Sequence, residues 1–289
     1  MEYLLHILIL IGIYIIAAAS LNLVAGYTGL LSVAHAAFYG VGAYVVALMG
    51  LKLGVSFWIS LPCAMLTAAL LGTVVAVPSL RLHDDYFVLA TFGLQVIATS
   101  VMNNWVEFTG GPLGLPGIPQ PTLFGVTLSA HWQMLLLVWT LAVLSFCLLS
   151  RLVRAPFGRV LRAIREDEVF TQSLGKSVTG FKVKAFVISA ALAAVAGSLY
   201  AVYITFIDPT SFTVQESIFM LAIVIVGGAG NLWGSVIGAV VLVALPELLR
   251  FVGLPSAIAA NVRQVLYGSL LVMMMLWRPQ GLLGEYRFD

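Results

Sequence analysis

Residues 4–24 read LLHILILIGIYIIAAASLNLV, a run without one charged side chain. A helix crosses roughly 30 Å of hydrocarbon with about 20 mainly apolar residues, so this run predicts a membrane span. It lacks a basic leader and outlasts the apolar core of a cleaved signal, so a retained helix is expected. The same test selects Leu30 to Met49, Val55 to Val77, Tyr86 to Met102, Trp132 to Leu149 and Ala185 to Phe206. Leu232 to Leu249 and Val262 to Trp277 are less regular. Ile218 to Val226 is too short to cross and ends in Gly227-Gly228-Ala229-Gly230, which reads as a half-helix or the arm of a broken one. The expected fold is an all-α polytopic membrane protein of about eight (8–10) transmembrane helices, some of them broken.

Composition agrees. Of 289 residues, 61% are hydrophobic and 9% charged, with a mean hydropathy of +1.07, whereas soluble domains carry about 25% charged residues. Cys63 and Cys147 lie in apolar runs and say nothing of a disulfide framework. A net charge of +2 gives no reason to expect nucleic acid.

Charge placement sets the orientation. Eight of the 14 Lys and Arg lie in the 34 residues from Arg151 to Lys184, which the positive-inside rule places in the cytoplasm. No Lys or Arg lies between Arg81 and Arg151, so the Pro- and Gly-rich loop of about 103–131 is expected on the other side. Alternation then puts Ser79 to Asp85 inside, with Asp84 or Asp85 as a helix cap beside His83, and Lys52 outside. The C-terminal Arg278 to Asp289 falls inside only if the short Ile218 segment adds a crossing.

Within the basic segment, Gly158 to Ser173 predicts a short amphipathic helix. Val160, Ile164 and Glu168 share a face, Arg159, Arg162 and Arg165 lie largely elsewhere, and Gly175 terminates it. Such a helix with an acidic centre (Glu166, Asp167, Glu168) suits docking into a groove on a soluble partner. It equally suits a loop held near anionic lipid headgroups.

The run Arg154 to Glu168 (RAPFGRVLRAIREDE), continuing to Leu174-Gly175 and Lys182 to Ala190, closely resembles the coupling loop of branched-chain amino acid ABC transporter permeases of the LivM type. The resemblance extends to Leu21 to Gly29, Leu31 to Phe38, Gly40 to Tyr44, Thr109 to Pro112, Gly117 to Pro119, Gly227 to Gly234 and Arg278 to Gly284. It implies a single permease domain over 1–289, with a cytoplasmic coupling loop at about 151–184. It further implies ATPase contacts at Arg159, Arg162, Arg165, Glu166, Asp167, Glu168 and Gly175. The implied partners are a second homologous permease, two ATP-binding subunits and an extracytoplasmic substrate-binding protein, in a multi-pass protein of a bacterial-type plasma (inner) membrane. ATP and Mg would be bound by the partner subunits, with no cofactor in this chain.

Polar residues inside spans are costly and therefore informative. Asn22, Ser32, His35, Thr91, Gln95, Thr99 and, near a span end, Glu247 stand out, and no charged residue sits in the middle of a clear span. That disfavours an ion-coupled carrier. Gly26 to Gly29 and Gly227 to Gly230 are the expected helix breaks, and with Asn22 and His35 the expected path residues. Gly29 with Gly42-Ala43 and Gly230 with Gly238-Ala239 suggest an inverted repeat, whose freed backbone amides would suit a substrate carboxylate. Close packing through small residues is the competing explanation. No GxxxxGK[ST], HExxH, CxxC or GxSxG pattern occurs, so neither a nucleotide site nor an enzyme is expected. His6, His35, His83 and His131 are too scattered to hold a metal. The resemblance also leaves other amino acids and urea or short amides open as cargo.

Overall fold

The computed structural model describes residues 2–80, 84–123, 126–250, 265, 267–269, 271–274, 276, 278 and 280–284. His83, the side chains of Asp84, Asp85 and Glu247, and most of Val262 to Trp277 lie outside these.

Among the described residues six helices are long and apolar enough to cross a membrane: α1 (Glu2–Thr28), α2 (His35–Leu53), α3 (Phe57–Ser79), α4 (Asp84–Asn104), α6 (His131–Arg154) and α9 (Val178–Ile204). A seventh hydrophobic unit is α10 (Val214–Gly227) with α11 (Leu232–Arg250), bent by 118° at the intervening break. The chain is therefore a polytopic all-α membrane protein.

Most predicted spans gain a few residues at their ends, since one more polar turn can stay helical above the hydrocarbon. Three boundaries move by five residues or more, the fifth span running on from the expected Leu149 to Arg154. The second span starts at His35, five residues late, because Gly29 takes a left-handed φ of 77° and residues 29–34 form an irregular link. The sixth begins at Val178, seven residues early, since Lys182 is buried rather than solvated.

α1 and α9 form the centre. From Ile9 to Thr28 nearly every α1 side chain is buried, and α9 is buried through the small-residue stretch Ala193 to Ser198. Small residues let backbones meet directly. A side chain on Gly42 of α2 would run into the Ala194 backbone of α9, and one on Gly197 of α9 into the Tyr39 carbonyl. By contrast α3, α4 and α6 leave rows of large apolar residues exposed, including Leu66, Leu70 and Val74, Leu89, Phe92 and Val96, and Leu136, Val143 and Leu144. These rows suit lipid or another subunit.

Two sets of contacts mark the two ends of the bundle. At one, β1 (Leu115–Pro116) pairs with β4 (Phe206–Ile207), Lys52 reaches the Glu107 carbonyl, and the Trp58 indole reaches that of Thr122. The loop of residues 103–131 is built here, with α5 (Val106–Thr109) and the hairpin β2 (Thr122–Leu123) and β3 (Val126–Thr127). At the other, basic end lie α7 (Pro156–Glu166) and α8 (Glu168–Ser173).

After β4 the chain turns inward through a 3-10 turn at Pro209–Phe212, so α10 begins deep in the bundle and ends at the basic end. Its start is fixed by Tyr14, half-way along α1, which donates to Glu216 (2.6 Å). The short segment is thus a half-helix, and the chain from β4 to Gly227 passes from one end to the other.

Gly197→Ala should separate α2 from α9 and lower the thermal midpoint and folded yield in detergent, overpacking costing about 1–3 kcal/mol. Gly93→Ala, where an added methyl meets nothing within 4 Å, should leave both unchanged.

Candidate translocation and coupling sites

The basic loop is two helices, not one. Asp167 adopts an extended conformation (φ −155°, ψ 106°) that ends α7, and its carboxylate then caps α8 by accepting the Phe170 N–H (2.8 Å). This corrects the expected face: the buried stripe of α7 is Gly158, Leu161 and Ile164, and the break removes Glu168 from it. Glu168 instead pairs with the buried Lys182 at the head of α9. Gly175, with φ +74°, is the left-handed residue that closes the unit.

The three arginines separate in role. Arg159 is exposed. Arg162 donates to the Val153 carbonyl (3.2 Å), fastening α7 to the end of α6. Arg165 points inward: its aliphatic stem lies over Gly29, its guanidinium abuts Gly230, and it donates to the Gly26 carbonyl.

Arg165 thereby joins residues expected in the coupling loop to residues expected in the path. Asn22 of α1 accepts the Gly230 N–H (2.9 Å) through Oδ1, while its Nδ2 donates to the Asn231 carbonyl (2.8 Å) and to Ser235 Oγ (2.7 Å). One buried amide satisfies the backbone freed where α10 breaks from α11. Gly26 packs against the Gly230 amide inside a continuous α1, so it is a contact and not a break. Gly29, Gly228 and Gly230, with φ of 77°, 116° and 81°, are true breaks.

Gly227 and Gly228 are packing positions as well. A side chain on Gly227 would strike the Gly234 backbone, and one on Gly228 the Gly284 backbone. The C-terminal turn seals this face: Leu282 N–H donates to Val226 C=O and Leu283 N–H to Gly227 C=O (both 2.9 Å), while Asn231 Nδ2 donates to Leu283 C=O (2.9 Å). His35 also sits in a packed interior. Its Nε2 lies 2.8 Å from Ser20 Oγ, whose own hydrogen goes to the Ala17 carbonyl, so the imidazole is the donor. Of the expected path residues, Asn22, Gly26, Gly29 and Gly230 come together with Arg165, while His35 stands apart.

A second polar centre escaped the sequence. Around the inward start of α10, Ser217 accepts the Ala36 N–H (2.8 Å) and donates to Gln95 Oε1 (3.2 Å), and Gln95 Nε2 donates to the Phe212 carbonyl (2.7 Å). Tyr39, Tyr44 and Tyr200 surround the Phe212 ring, and the buried hydroxyls of Tyr39 and Tyr44 have no hydrogen-bond partner. Glu216 adjoins through its Tyr14 bond. The available signal was polar residues of different spans (Gln95, Glu216, Ser217), but their shared depth is a tertiary fact. His6 and His131, expected far apart, both meet Tyr203 at the end opposite the basic loop. Among the described residues no three His, Cys, Asp or Glu are placed to hold a metal.

A half-helix starting inside a bundle, a second break latched to the basic end, and lipid-suited flanks are features of transport proteins. The family model for the permease component of the branched-chain amino acid transport system matches residues 3–275. The chain belongs to this family. It is 41% identical over 298 residues to the high-affinity branched-chain amino acid transport system permease protein LivM of Salmonella typhimurium, covering 95% of this chain and 68% of the relative. LivM of Escherichia coli K12 is 40% identical over the same shares, and LivH of that strain 26% identical over 94% and 91%. Membership makes the chain a permease component.

Asn22→Leu should destabilise this permease component by several kcal/mol, since Gly230 N–H and Asn231 C=O each lose a partner at about 1–3 kcal/mol. Gly228→Leu should abolish folded, monodisperse protein on size-exclusion chromatography, because left-handed backbone and Gly284 both resist a side chain. A folded variant blocked only in transport would contradict the packing role.

Proposed function

We propose that the chain is a transmembrane subunit of an ATP-binding-cassette importer for branched-chain amino acids, supplying half of the translocation path in a plasma (inner) membrane. The basic end faces the cytoplasm and the loop of residues 103–131 the opposite side. A second homologous permease completes the path, an extracytoplasmic binding protein delivers cargo, and two ATP-binding subunits hold ATP and Mg. The names of the relatives support the substrate, and the positive-inside rule supports the orientation.

The observation that carries the coupling role is the α7–α8 unit. Its inner side is fastened by Arg162, Arg165 and the Glu168–Lys182 pair, while its outer side presents Val169 (77% exposed), Phe170 (61%) and Leu174 beside exposed Arg159, Glu166 and Asp167. Apolar side chains held out on a rigid, charged helix pair suit insertion into a groove of a soluble subunit. A push on this pair passes through Arg165 to Gly26 and the α10–α11 break. Glu168 and Lys182 hold the pair in position, and Gly175 turns the chain back toward α9.

The inward start of α10 is the best-placed part of the path for a zwitterion. The positive end of its dipole favours a carboxylate, and Glu216 with unpartnered tyrosine hydroxyls offers acceptors to an ammonium group. Glu216 also gives an ion-coupled carrier a foothold, so energisation must be tested directly.

Val169→Asp with Phe170→Asp should leave the chain in the membrane but remove most of the co-purifying ATP-binding subunit. Transport of leucine in vesicles should require ATP and the binding protein, and uptake by the chain alone under a proton gradient would reject the importer reading.

A further inference from the structure

We infer that a cleft at the basic end, between α6, α7 and the head of α11, holds the phosphate headgroup of an anionic membrane lipid. The cleft has a volume of about 200 Å³. Ser150, Val153 and Arg154 line it from α6, Arg162 from α7, and Gly230 to Trp233 from the α10–α11 junction. Among the described residues no carboxylate lines it.

Its charge is positive from several directions. Arg154 is exposed at its edge, and the Arg165 guanidinium lies against Gly230 in its wall. Arg162 spends one terminal nitrogen on the Val153 carbonyl, while its Nε is buried without a hydrogen-bond partner. The Arg162 guanidinium belongs to the lining of the cleft, and a phosphate oxygen is the acceptor that best matches such a group. The 19-residue helix α11 starts at Leu232 in the same wall, adding the positive end of its dipole.

The chemistry is that of a phosphate oxyanion, and the rim selects a lipid over free phosphate as its source. Trp233, 60% exposed, stacks against Phe146 at a centroid distance of 5.0 Å. Above it Ile237 and Val240 are exposed along α11, and Leu136 and Val143 on the cleft face of α6. Two apolar rows rising from a basic cleft accommodate acyl chains, and an indole at their foot is the usual residue of the membrane interface.

The test uses the full chain in complex with its partner subunits, in phosphatidylcholine nanodiscs doped with phosphatidylglycerol, with retained lipid counted by native mass spectrometry. Retention of phosphatidylglycerol over phosphatidylcholine is expected, falling about tenfold in Arg154→Gln, the weight of one charge-assisted hydrogen bond. Arg151→Gln, which removes an exposed charge on the same helix outside the cleft, should retain the lipid as the wild type does. Equal loss in both variants reduces the effect to general surface charge and overturns the site. Displacement of the lipid by millimolar inorganic phosphate assigns the cleft to a free anion and overturns the lipid assignment.

Discussion

The side-chain amide of Asn22 is the interaction on which the architecture turns. A helix that breaks inside a membrane protein frees backbone donors and acceptors, and lipid offers them nothing. Here one amide accepts from Gly230 and donates to Asn231 and Ser235, so the break between α10 and α11 can exist beside a helix buried almost throughout from Ile9 to Thr28. Gly26 is small because the Gly230 amide must approach α1 this closely. Leu282 and Leu283 satisfy the carbonyls of Val226 and Gly227 from the other side.

Arg165 extends the latch to the surface. Its stem crosses Gly29 and its guanidinium reaches Gly26, so α7 rests on the same junction that Asn22 closes. The contacts an ATP-driven partner would press on and the break beside the central helix are therefore one connected polar unit. The inward start of α10, with Glu216, Ser217 and Gln95, lies one half-helix away. A displacement of α7 has a short mechanical route to it.

Hydropathy made the spans legible because each needs about 20 apolar residues whatever its neighbours are. Even the half-helix was readable, since Ile218 to Val226 is too short and ends in glycines. The face of the coupling loop was not, because Asp167 is compatible with continuing a helix and with capping a new one, and only packing of Leu161 and Ile164 chooses. Glycine marked the right places without telling break from contact: Gly26 and Gly29 are three residues apart, yet one is helical and the other left-handed. Arg165 looked like one more basic loop residue because a sequence holds no sign that a charge points inward. Glu216 went unremarked because it heads a short segment instead of interrupting a long one.

The most direct measurement is amide hydrogen exchange over residues 226–233 in the membrane-embedded complex. A glycine-rich break would ordinarily exchange as fast as the exposed turn of residues 174–177. If Asn22 latches it, these amides should exchange as slowly as the middle of α1, and Asn22→Ala should release them while α1 stays protected. Fast exchange in the unaltered protein would contradict the latch.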